Sequence, residues 1–154
     1  MAVLVKQNIA ISNIYINKAQ ILYDNNGEER NNMPLYTEKD LIRAMMTIEL
    51  KDGYTINNVH LPSGKPAFAR KVGYRLFCNY QCRNIANMFT LGDFNTPPNS
   101  WILLSPFKIS HTNINTHTSG NIYDYMIYTN SQNYVANRHE NNYGSDHYPV
   151  YFDI

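Results

Sequence analysis

Short apolar runs broken repeatedly by turn chemistry give this chain a β-rich rhythm. Residues 2–6, 11–16 and 19–23 read as short strands, and Asp24-Asn25-Asn26-Gly27 reads as a turn. The chain is polar over 28–36, and Thr37-Glu38-Lys39-Asp40 fits the start of a short helix. Residues 44–50 and 54–60 are strand-like and flank Lys51-Asp52-Gly53, the signature of a hairpin. Residues 61–66 read as a loop. The strongest helical pattern covers 67–85, where Phe68, Val72, Leu76 and Tyr80 recur every four residues on one face. Strands follow at 87–92, 123–129 and 148–154, separated by a proline-containing loop (96–100) and polar stretches (110–121 and 130–144). Helices set among mainly β elements predict a layered α/β or α+β architecture. No internal repeat or long linker divides the chain, so residues 1–154 are expected to form a single domain.

Composition narrows the partners more than the fold. A net charge of +1 provides no global field to draw the chain to nucleic acid or anionic lipid, so binding of a polyanion must come from a local site. Asn (22) and Tyr (13) are abundant, a bias that compositional drift explains more simply than a dedicated Asn-rich surface. Cys78 and Cys82, four apart in the helical stretch, share a face but have poor geometry for a disulfide with each other. They are read as free thiols, compatible with a reducing, intracellular compartment. No run of about 18 apolar residues is present to span a membrane. Residues 1–6 are too short for a signal-peptide core.

Four constellations fall at strand ends, where a scaffold presents reactive groups to a cleft. In Asn58-Val59-His60-Leu61 a histidine closes a hairpin strand; the plain reading is a histidine satisfied by backbone. In Gly92-Asp93-Phe94-Asn95 the glycine permits a sharp turn, Asp93 offers oxygen to a hard cation, and Asn95 can donate to a phosphoryl oxygen. Its plain reading is an Asx turn. In Tyr123-Asp124-Tyr125-Met126-Ile127 an acid sits in an apolar strand, costly to bury alone, unless it faces water at an edge. Ser145-Asp146-His147, before the last strand, sets an acid beside an imidazole, or is merely a polar turn.

In this order the four motifs resemble the endonuclease/exonuclease/phosphatase superfamily, with its deoxyribonuclease-I-like fold of facing β-sheets flanked by helices. Ser145-Asp146-His147-Tyr148-Pro149-Val150 is most similar to pancreatic-type deoxyribonucleases and cytolethal distending toxin nuclease subunits, which also carry a histidine where His60 stands. The resemblance implies a metal-dependent phosphodiesterase acting on DNA or another phosphodiester. His147 would be the general base, oriented by Asp124, and His60 would protonate the leaving oxygen or stabilise the phosphorane. Asp93 and Asp146 would hold Mg²⁺ or a similar divalent cation such as Mn²⁺ or Ca²⁺. Asn95 and Arg43 would contact the phosphate.

The sequence departs from that family at its beginning. The family's first strands carry an asparagine motif and a glutamate that ligates metal, and neither has a counterpart here. The resemblance therefore implies the carboxyl-terminal portion of the fold: a fragment, a chain completed by a second chain or by self-association, or a degenerate descendant kept for binding or scaffolding. Uncovered sheet edges make a homo-oligomer or partner chain the expected companion. A phosphatase acting on a lipid or small phosphoester is the further enzymatic alternative.

Overall fold

The computed structural model describes residues 8–21, 41–61, 63, 86–101 and 107–153, with the backbone alone for 17–21 and 41–44. The strand expected at 2–6, the turn at 24–27, the loop at 28–36, the helix start at 37–40, the helix over 67–85, Cys78 and Cys82 all lie outside these residues.

Among the described residues there are eight strands. They are β1 (Ile11–Ile21), β2 (Leu41–Leu50), β3 (Thr55–His60), β4 (Met88–Asp93), β5 (Lys108–Ser110), β6 (Asp124–Tyr128), β7 (Ala136–Arg138) and β8 (Val150–Phe152). Six make one sheet in the order β1-β2-β3-β4-β6-β5, and β7 and β8 make a two-stranded ribbon. The expected break after residue 16 does not occur: β1 continues to Ile21, paired antiparallel with β2 along its length. Asp52-Gly53 turns β2 into β3 as the sequence predicts. Gly53 adopts a φ of 89°, and its amide donates to the Leu50 carbonyl at 3.2 Å. Two short strands add to the expected ones: β5 ends at residue 110, where a polar stretch begins, and β7 lies within 130–144.

β3 and β4 run parallel, whereas β4 and β6 are antiparallel. Their register builds cross-strand rungs. Ile56, Phe89 and Tyr128 form one, and Asn58, Leu91 and Met126 the next. Side chains along a strand alternate between faces, so these rungs share a face. On it Phe89, Met126 and Tyr128 are buried, and Tyr134 and Phe152 of the β7–β8 ribbon region pack over them. The opposite face carries the larger core of Met45, Val59, Leu61, Phe94, Trp101, Tyr125 and Ile127. A buried polar chain also crosses three strands: Thr47 Oγ1 donates to Asn57 Oδ1 at 2.7 Å, and Asn57 Nδ2 donates to Thr90 Oγ1 at 3.2 Å. Its partners are fixed by position, so a slip in pairing would leave buried polar atoms unsatisfied.

Candidate active site

One rung further along, the same register sets His60, Asp93 and Asp124 side by side on β3, β4 and β6. Three residues far apart in sequence thus reach one end of the sheet through strand pairing alone. Asp124 is not the edge-strand carboxylate its plain reading allows, because β6 lies between β4 and β5.

The turn after β4 explains why Gly, Phe and Asn accompany Asp93. Gly92 has a φ of 139°, and a Cβ there would sit 2.0 Å from the Val59 carbonyl oxygen, so only glycine lets β4 approach β3 this closely. Phe94 is fully buried, stacked on Tyr125 with ring centres 4.2 Å apart and edge-on to Trp101. Trp101 Nε1 donates to the Tyr125 hydroxyl, which donates to the Thr96 carbonyl at 2.8 Å. Asn95 takes a left-handed φ of 48°, which asparagine tolerates better than most residues. Its amide N–H donates to Asp93 Oδ1 at 2.8 Å. The side-chain Nδ2 donates to the Leu61 carbonyl at 2.7 Å and to Asp93 Oδ2 at 3.0 Å. Its two donor hydrogens thus hold Asp93 and the β3 exit.

His147 reaches the rung from the segment before β8. Its Nδ1–H donates to Asp124 Oδ2 at 2.8 Å, and Nε2 faces Asp93 Oδ2 at 3.7 Å, beyond hydrogen-bond reach. His60 Nε2 stands 3.5 Å from the same Asp93 oxygen. Both imidazoles thus border Asp93, His60 more exposed (58%) than His147 (29%). The fully buried Thr116 holds the arrangement from behind. Its Oγ1 accepts from the amides of Tyr123 at 2.9 Å and Asp124 at 3.0 Å, and its carbonyl accepts from the Tyr148 amide at 2.8 Å. Thr118 N–H donates to the Asp146 carbonyl at 2.9 Å, beside a β-bridge between His117 and His147.

Electrostatics follow the geometry. Burial pushes the His147 imidazole down, but the hydrogen bond to Asp124 and the charges of Asp124, Asp93 and Asp146 outweigh it, and the net pKa is raised. Burial raises the Asp93 carboxyl, against the lowering effect of the Asn95 amide bond. Asp146 is lowered, first by a hydrogen bond from its own backbone amide.

Asp146 does not join Asp93 in one cluster. Its Oδ2 lies 3.5 Å from His117 Nε2, with the carboxylate 71% exposed. Among the described residues two groups of potential ligands share His147: Asp93, Asp124 and His147 form one, and His117, Asp146 and His147 the other. Arg43 lies in β2 opposite Ala19, two residues before Met45, which pairs with Val59; its side chain is outside the described residues. His117 was not anticipated, because it sits in a polar stretch with no strand-end pattern. Its bridge to His147 and its contact with Asp146 reveal it. A cavity of about 710 Å³ opens beside His147 and Asp124, bordered by Asn58, Leu91, Tyr143, Tyr151 and Phe152.

The chain adopts a deoxyribonuclease-I-like fold, as its likeness to solved structures shows. The cytolethal distending toxin of Haemophilus ducreyi superposes with a TM-score of 0.59 at 19% identity, over 88% of this chain and 57% of that chain. CdtB, described as the biologically active subunit of cytolethal distending toxin, gives 0.52 at 20% identity, over 86% and 55%. The endonuclease domain of TRAS1, a telomere-specific non-LTR retrotransposon, gives 0.54 at 12% identity, over 89% and 77%. The chain thus spans little more than half the length of the two toxin chains. No family model and no curated protein matches it in sequence.

Proposed function

We propose that this chain is a metal-dependent phosphodiesterase of the nuclease type, hydrolysing phosphodiester bonds in nucleic acid. The observation that carries this reading is His147, held by Asp124 through Nδ1 while Nε2 opens toward Asp93 and His60. A proton on Nδ1 leaves the lone pair on Nε2, the form a general base requires. His147 Nε2 takes a proton from water as the water oxygen attacks phosphorus. His60, across the Asp93 carboxylate, returns a proton to the departing oxygen.

The donor set is compatible with a hard cation. Each Asp93 oxygen accepts a single Asn95 hydrogen bond, which leaves lone-pair capacity on both, and such ions are commonly held by one or two carboxylates plus phosphate oxygens. Asp93 would therefore hold Mg²⁺ or a similar ion, which when bound neutralises charge on the phosphoryl oxygens. Asn95 keeps the Asp93 carboxylate aimed.

The test is nicking of supercoiled plasmid in Mg²⁺, comparing the wild type with His147→Ala and His60→Ala. Removal of a general base or acid is expected to lower the rate by roughly 10²- to 10⁴-fold. Equal nicking by all three proteins, or none by the wild type across divalent metals and pH, rejects the reading.

A further inference from the structure

We infer that His117, Asp146 and His147 form a second cation site, suited to a borderline transition metal such as Zn²⁺, that competes with catalysis for His147. One nitrogen from each imidazole and one Asp146 oxygen lie within 4.8 Å of one another. His147 Nδ1 is committed to Asp124, so Nε2 is the nitrogen available. His117 Nε2 stands 3.5 Å from Asp146 Oδ2, near the ligand spacing of about 3.3 Å that tetrahedral bonds of about 2.0 Å require. The two rings meet edge to face, centres 4.6 Å apart at 80°.

The supporting contacts are those of a metal-binding histidine. Such residues usually donate their other N–H to an acceptor that fixes the ring. His147 Nδ1 has Asp124 at 2.8 Å, and His117 Nδ1 has Ser119 Oγ at 2.7 Å. The Ser119 amide donates to His117 Nδ1 at 3.0 Å, so the unbound neutral ring carries its proton on Nε2; an ion on Nε2 moves that proton to Nδ1, exchanging the Ser119 amide bond for donation to the Ser119 hydroxyl. Two imidazoles with one carboxylate favour Zn²⁺ and its neighbours over Mg²⁺, which prefers oxygen. An ion there occupies His147 Nε2. The consequence, inhibition, rests on the assignment of His147 as base; the site itself does not.

Co²⁺ serves as the spectroscopic probe. The wild-type chain is expected to bind one Co²⁺ with visible ligand-field bands that Zn²⁺ abolishes. His117→Gln should lose the bands, and Ser119→Ala should weaken binding by about tenfold. No bands in the wild type, or equal binding by His117→Gln, overturns the site. If thermal unfolding shows that His117→Gln is not folded, Ser119→Ala decides, and unchanged affinity overturns the site. In parallel, Zn²⁺ should suppress Mg²⁺-supported nicking by the wild type and spare His117→Gln. Bound Zn²⁺ without suppression overturns the competition. Absence of all nicking fails the phosphodiesterase reading, while the Co²⁺ titration still decides the site.

Discussion

At the scale of single residues, His147 is the group whose surroundings bear most directly on pH. Its imidazolium gains the Asp124 hydrogen bond and three nearby carboxylates, enough to overcome partial burial and raise the pKa. A raised folded value means that the charged form contributes stability. That contribution is fully present below the unfolded imidazole value of about 6.5 and disappears as pH rises through the higher folded value. In chelator, unfolding free energy should therefore decline from mildly acidic to mildly alkaline pH. Asp124→Asn should flatten that decline, as followed by urea denaturation across the range. An unchanged slope in Asp124→Asn would show that the stabilisation comes from elsewhere. Catalysis runs the opposite way, because the base must be neutral: nicking should rise over the interval in which stability falls.

At the scale of elements, the turn after β4 makes the sharpest demands. Gly92→Ala forces a side chain into the Val59 carbonyl at a φ only glycine adopts readily. Backbone strain and overpacking each cost on the order of 1–3 kcal/mol, so a clear fall in Tm is expected, with nicking lost in step. Phe94→Ala empties the centre of the Tyr125–Trp101 cluster and should cost about 3–5 kcal/mol, read by the same melt. These elements also show what the sequence made legible. The 44–60 hairpin was readable from Asp-Gly between β-rich runs, and β4 and β6 from short apolar runs, the first ending and the second beginning at an acid. The four strand-end motifs named five of the residues that gather here: His60, Asp93, Asn95, Asp124 and His147. Asn95's partners were not readable, since an amide's donors are assigned only when the β3 exit folds against it. Neither β7 nor His117 was readable, because a three-residue strand and a bridging loop leave no periodicity. Asp146 was read as Asp93's co-ligand because sequence order cannot say on which side of His147 a neighbouring carboxylate falls.

At the scale of the whole molecule, metal and fold are linked by mass action. A cation bound only by the folded chain stabilises it by about 2.7 kcal/mol at a hundredfold excess over Kd. For a domain of this length that amounts to several degrees of Tm. Mg²⁺ should raise the melting temperature of the wild type, and Asp93→Asn should abolish the shift; an equal shift in both would exclude Asp93 as the ligand. The expectation of self-association can also be tested. Among the described residues β1 pairs only with β2, and it exposes Ile14 and Ile16 at 58% and 53%. Sedimentation should give a mass that grows with concentration, and Ile16→Lys should return it to that of a single chain. A concentration-independent monomer in the wild type would remove that expectation. Thr116, out of contact with solvent, fastens the strand bearing Asp124 to the segment bearing His147. The two arms consequently share one hinge pin. Thr116→Val removes the hydroxyl and keeps the carbonyl, so the Tyr123 and Asp124 amides should exchange with deuterium faster while the Tyr148 amide, held by that carbonyl, stays protected; equal acceleration of all three would show that the two arms loosen as one.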